Sequence, residues 1–223
     1  MPHQARTAFS DGLDALRLQV EVMTILVGQA IDRANVVVST GDPEAARHMI
    51  EADDAIDEMQ VSLTEACYQL LAREAPVASD LRLVVSVIRV LHTLERIGDL
   101  ALRVAHAVDD QPLVAQHPEI FEVLIGLADN VTERFAAVQQ GWSTTSIEPL
   151  DRLADFDPLA HFADPLIVRL MALEGHDAVR VALAAMAIGR SFDRIGDHTQ
   201  IMACRLRYLV TGDLAYLADE VAW

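Results

Sequence analysis

The stretch Leu94-Glu95-Arg96-Ile97-Gly98-Asp99 returns near the end of the chain as Phe192-Asp193-Arg194-Ile195-Gly196-Asp197. Position 95 falls on 193, a displacement of 98 residues, and the same displacement carries Asp53 onto Asp151 and Asp57 onto Asp155. Two acidic pairs spaced i, i+4 in the first half thus map without a gap onto two in the second. Self-similarity of this kind marks a duplicated supersecondary unit. Each block lies in a long run rich in Ala, Leu and Val, and breaks fall at Gly41-Asp42-Pro43, Ala75-Pro76-Val77, Asp109 to Pro118, Gly141 to Ser146 and Glu174-Gly175-His176. Working outward from the repeat, the spacing predicts six helices at roughly 5–40, 43–73, 78–108, 118–141, 147–173 and 177–210. The expected fold is all-α, two tandem three-helix bundles, with repeats over 1–109 and 110–223.

The apolar pattern supports helices rather than strands. Met49, Ala52, Ile56, Met59, Leu63, Ala66 and Leu70 alternate steps of three and four, the seam of a bundle helix. The third segment carries two apolar stripes, as a helix lying between neighbours does. Its remaining face presents Arg82, Arg89, Arg96 and Arg103 every seventh residue, a row expected to face solvent and answer nearby acids. Pro158 and Pro165 interrupt the fifth segment, and Asp157-Pro158 and Asp164-Pro165 resemble helix starts.

Charge narrows the function. The chain has 223 residues, 17 Lys and Arg against 34 Asp and Glu, a formal net charge of −17 and a pI near 4.6. A nucleic-acid binder needs clustered basic residues to release phosphate counterions, so the acidic surplus rules out most of that class and makes a cation the more natural small partner. Hydrophobic residues make up 52% of the chain, far more than in acidic disordered sequences, so it folds. Cys67 and Cys204 are far apart and read as buried apolar side chains of a reducing compartment. The start has no signal-peptide plan and no run of about 18 uncharged apolar residues occurs, so a cytoplasmic location is expected.

Residues four apart on a helix share a face with Cβ atoms about 5–6 Å apart, so both carboxylates of a pair can reach one cation. Helical phase puts Glu95 and Asp99 between an apolar stripe and the arginine row, and Asp53 and Asp57 at the border of their own seam. The expected metal ligands are therefore Glu95, Asp99, Asp193, Asp197, Asp53 and Asp57, with Asp151 and Asp155 as the repeat counterparts on the proline-broken segment. Oxygen-only donors suit iron, magnesium or manganese, and also zinc. Gly98 and Gly196, at the same place in both copies, point to a close backbone approach beside the acids. His92 and His198 have non-histidine counterparts in the repeat, Arg190 and Leu100, and read as incidental.

The run Ala75-Pro76-Val77-Ala78-Ser79-Asp80-Leu81-Arg82, followed by the Leu94 to Asp99 block, resembles the first half of the PhoU family. Asp193-Arg194-Ile195-Gly196-Asp197-His198 and Tyr208-Leu209-Val210-Thr211-Gly212 are similar to its second half. The resemblance implies two tandem three-helix bundles whose (E/D)xxxD motifs bind multinuclear metal clusters. It further implies a non-catalytic cytoplasmic regulator of phosphate uptake that links a phosphate ABC transporter, through its ATPase, to a sensor histidine kinase. A homodimer is expected. Two rivals stand beside it: a metal-free helical adaptor, and a carboxylate-metal hydrolase. A di-metal oxidase of the four-helix type would need Glu-x-x-His on two helices, and the chain has no such motif.

Overall fold

The computed structural model describes residues 2–73, 76, 78–152 and 163–221. Helix α1 (Pro2–Thr40) ends at Gly41, which adopts a left-handed φ of 69°. Its N–H donates to the Val37 carbonyl at 2.8 Å, closing the helix. Only glycine suits this corner, because a Cβ there would lie 2.6 Å from Oε1 of the buried Gln111. Asp42 then caps the next helix, its Oδ1 accepting from the Glu44 N–H at 2.9 Å. Helix α2 (Pro43–Arg73) folds back on α1, and α3 (Ser79–Ala105) completes the first three-helix unit.

A short 3₁₀ turn (Val108–Asp110) and α4 (Gln111–Val114) occupy the connection that the sequence marked as a break. Helix α5 (Pro118–Thr144) follows, with proline at its first position, where no N–H is needed. Among the described residues, the expected single helix over 147–173 is not continuous, with turns at Arg152 and Ala172. In its place stand α6 (Glu148–Asp151) and α7 (Ala163–Met171). Proline is the reason at α7, since Pro165 lies in its first turn, where proline starts a helix but cannot continue one from before. Pro158 lies outside the described residues. Helix α8 (Ala178–Thr211) closes on Gly212 in the left-handed region, and α9 (Ala215–Val221) is a seven-residue helix the sequence reading did not foresee.

The halves pack helix against counterpart. Along α1 and α5, Asn35 donates to Asp129 at 2.9 Å and Ser143 to Glu21 at 2.6 Å, so the two run antiparallel. Along α3 and α8, Leu83 and Val87 share a small cleft with Leu209, and Arg96 shares a larger one with His198. The packing is thus approximately two-fold. One continuous cluster of buried side chains, including Met23, Leu91, Ile97, Phe135 and Phe192, runs through both halves. At about 25 cal/mol per Å² of apolar surface, such continuous burial is the main stabilising term. The segment Phe9–Thr40 is long and apolar enough to cross a membrane by length and composition. Its apolar face is spent on the bundle instead, with Leu16, Met23, Val27, Ile31 and Ala34 buried.

Candidate metal centre and the cleft beside it

Gly98 positions the acids. It is buried on α3 facing Ile56 of α2, and a Cβ at position 98 would lie 3.3 Å from Ile56 Cδ1. The missing side chain lets α2 come close, which brings Asp57, one residue beyond Ile56, toward Glu95 and Asp99. Carboxylate oxygens of Asp57, Glu95 and Asp99 all lie within 4.8 Å of one another. Asp53, one turn earlier on α2, flanks this trio near Asp57 and Asp99.

Electrostatics make the cluster costly when nothing neutralises it. Burial, followed by the negative charges of Asp99 and Asp57, pushes the Glu95 carboxyl above its ordinary range, while Arg96 and His92 pull it back. Burial also raises Asp53, with Asp57 and Asp99 adding to the effect. Arg96 is the only nearby guanidinium pairing with the trio among the described residues, 3.4 Å from Asp99 and 3.8 Å from Glu95, and it is 60% exposed. Such pairs offset little of the repulsion. The donor set fits a hard cation, since two oxygens bound at about 2.0–2.6 Å are separated by at most about 4–5 Å.

The second copy is built differently. Asp193 and Asp197 sit part-buried on α8, and burial raises both carboxyls despite Arg190 and Arg194. Arg190 approaches Asp193 at 3.5 Å and Arg194 approaches Asp197 at 3.2 Å, repeating the Arg96 arrangement. Asp151 is turned elsewhere, accepting from Arg207 at 2.7 Å. Asp155 lies outside the described residues. Among the described residues no third carboxylate joins Asp193 and Asp197.

Beside the first cluster opens a cleft of about 640 Å³ between α2, α3 and α8, bordered by Asp57, Gln60, Arg89, His92, Glu95, Arg96 and His198. Gln60 Nε2 and His92 Nδ1 lie 3.3 Å apart across its wall. His198 is pushed down to about 4, first by burial and then by the positive charges of Arg194, Arg89 and Arg96, so its ring is neutral at pH 7. The two histidines that repeat logic set aside as incidental therefore border the same cleft. Only the α3 and α8 pairing brings them together, and no local spacing signals it.

The arginine row faces solvent at Arg89, Arg96 and Arg103 and answers nearby acids, as its sevenfold spacing implied. Arg89 Nε donates to Glu220 at 2.6 Å, and Arg205 of α8 takes the other oxygen of that carboxylate. Glu220 is buried, so α9 is pinned over the junction of α3 and α8. Arg82 is part-buried against Gly212.

The fold and site define a class of protein: a duplicated all-α bundle in which carboxylates of two helices converge beside a close helix crossing. Residues 20–108 match the family model described as the PhoU domain. A phosphate-specific transport system accessory protein PhoU homolog 1 from Thermotoga maritima is 30% identical over 211 residues, covering 92% of this chain and 89% of that protein. The phosphate-specific transport system accessory protein PhoU of Serratia marcescens is 30% identical over 216 residues, covering 95% and 88%. The crystal structure of PhoU from Pseudomonas aeruginosa superposes with a TM-score of 0.83 at 27% identity, covering 92% of this chain and all of that one. The chain belongs to the PhoU family.

Proposed function

We propose that this protein is a metal-binding, non-catalytic regulator of phosphate uptake and phosphate-starvation signalling. The single observation that carries the metal part is the meeting of Asp57, Glu95 and Asp99 oxygens within 4.8 Å at the margin of a core. The phosphate part rests on kinship with accessory proteins of phosphate-specific transport systems. In this reading the first site takes a hard or borderline ion, iron, manganese, magnesium or zinc, on Asp57, Glu95 and Asp99, with Asp53 adjacent. Asp193 and Asp197 contribute a second site, to which Asp151 and Asp155 would add only if Asp151 leaves Arg207. The ion supplies charge neutralisation that lets two desolvated helix margins stay together. The protein works in the cytoplasm as a homodimer, bridging the ATPase of a phosphate ABC transporter to a sensor histidine kinase.

Elemental analysis of untagged protein tests the metal reading. Stoichiometric metal, lost in the Asp99→Ala, Asp197→Ala double variant, is the expected result; metal-free protein with the same melting temperature as metal-treated protein would sink it. Capture of the kinase and the ATPase at high but not low phosphate tests the signalling part.

A further inference from the structure

We propose that the cleft between α2, α3 and α8 binds a small oxyanion of the phosphoryl type, and that a cation on Asp57, Glu95 and Asp99 switches this site on by releasing Arg96 into it. The inference rests on the metal reading above and adds a ligand and a mechanism of coupling to it.

Arg96 belongs to two places at once. It borders the cleft, and its guanidinium leans on Asp99 and Glu95 at 3.4 and 3.8 Å. These separations are long for charge-assisted hydrogen bonds, which run about 2.7–2.9 Å. A divalent ion on the same carboxylates takes the oxygen lone pairs Arg96 uses and repels its charge, so the side chain must turn away. The open direction is the cleft.

There Arg96 meets Arg89, seven residues earlier on the same face of α3 and about 10 Å along the axis, a span two arginine side chains close easily. Arg89 spends Nε on Glu220 yet stays half exposed. Across the cleft stands His198, whose Nδ1 is buried without a hydrogen-bond partner. Two arginines with planar forks recognise tetrahedral oxyanions in a way lysine does not.

Charge explains the need for metal. Without it, Asp57 and Glu95 border the same space as Arg89 and Arg96, and an anion gains nothing by entering. With the carboxylates neutralised, the arginines dominate. Arg194 repeats Arg96 at the displacement of 98 and leans on Asp197 at 3.2 Å, but no third carboxylate joins that pair among the described residues and Arg194 does not border the cleft, so the switch belongs to the first copy. Linkage is reciprocal, so the anion in turn tightens the metal.

The test is isothermal titration of inorganic phosphate into the full chain, metal-free and after loading with Mn²⁺ and desalting, with Mn²⁺ content measured first. The loaded protein is expected to bind phosphate at least tenfold more tightly than the metal-free form. Arg96→Ala should lose at least tenfold in phosphate affinity while holding Mn²⁺ no more weakly than the parent, because a competitor has been removed. Arg96→Lys should recover only part of the phosphate affinity. Glycerol phosphate, run in parallel, separates the two sources of the group: tighter binding than inorganic phosphate assigns the cleft to esterified phosphate, weaker binding to the free ion. Equal phosphate affinity with and without Mn²⁺, or undiminished binding in Arg96→Ala, overturns the proposal. So does Mn²⁺-loaded protein that binds neither probe. Protein that takes up no Mn²⁺ overturns the metal reading as well, and the prior elemental measurement distinguishes the two failures.

Discussion

Replacing Glu95 by Gln should change stability in opposite directions with and without metal. Glu95 lies within 4.8 Å of both Asp57 and Asp99, oxygen to oxygen. Two like charges at that distance repel by about 0.9 kcal/mol in water and about 3.5 kcal/mol at an effective dielectric of 20. Glutamine keeps the shape and removes the charge, at the expense of a 3.8 Å pair with Arg96, a residue 60% exposed and so a weak partner. The metal-free variant should therefore be more stable than the parent by about 1 kcal/mol, a rise of about 2–4 °C in melting temperature for a chain of this size. With Mn²⁺ the order reverses. At a metal concentration of about 100 Kd the parent gains about 2.7 kcal/mol, whereas a variant weakened about 100-fold gains about 0.4 kcal/mol. Thermal melts of both proteins, with chelator and with Mn²⁺, read all four values. A Glu95→Gln protein that melts below the parent in chelator, or that gains as much from Mn²⁺ as the parent does, would refute the reasoning.

Three further outcomes follow from the geometry. Glu220→Gln leaves Arg205, only 12% exposed, without its countercharge and should lower stability by about 3 kcal/mol, or about 6–12 °C; Glu44→Gln, which breaks only an exposed pair with Arg47, should leave the melting temperature unchanged. Gly98→Leu would drive a side chain into Ile56, pushing α2 from α3, and should cost about 1–3 kcal/mol by overpacking while weakening Mn²⁺ uptake in titration. The pH dependence of metal-free protein carries two opposed contributions. Carboxyls raised by burial at Asp53, Glu95, Asp193 and Asp197 hold protons more tightly when folded, so their contribution is full below their ordinary pKa and is lost as pH rises through the raised native values. His198, lowered from 6.5 to about 4, contributes stability that is full above 6.5 and lost as pH falls toward 4. Melting curves of Asp193→Asn, Asp197→Asn against the parent isolate the carboxyls: the variant's advantage at pH 7 should shrink steadily toward pH 4, and an advantage independent of pH would contradict the assignment.

Much of the architecture was legible because helices announce themselves locally. The steps of three and four through Met49, Ile56 and Leu63 describe a real seam, with all three buried, and Gly41 and Gly212 end their helices where a left-handed residue is required. The fifth segment was misjudged in the direction of regularity. Repeat logic asks for a helix equivalent to α2, whereas Pro165, with no N–H to donate, sits in the first turn of a new helix. Helix α9 was missed because seven residues offer too few turns for a periodic signal.

The candidate site divides along the same line. By itself the sequence determined that acids recur in i, i+4 pairs beside glycine in both halves, and that each pair shares a helix face, since both follow from residue order and the 3.6-residue period. Whether acids of different helices meet depends on how closely the helices approach and which faces they turn to each other. Tertiary structure alone decided that Ile56 settles on Gly98, bringing Asp57 to Glu95 and Asp99, while Asp151 went to Arg207 instead of toward Asp193 and Asp197. It also decided that His92 and His198, unrelated in the repeat, border one cleft, and that Glu220 reaches back to Arg89 across 131 residues. Such long-range meetings are products of packing two amphipathic units face to face, and no window of sequence contains them.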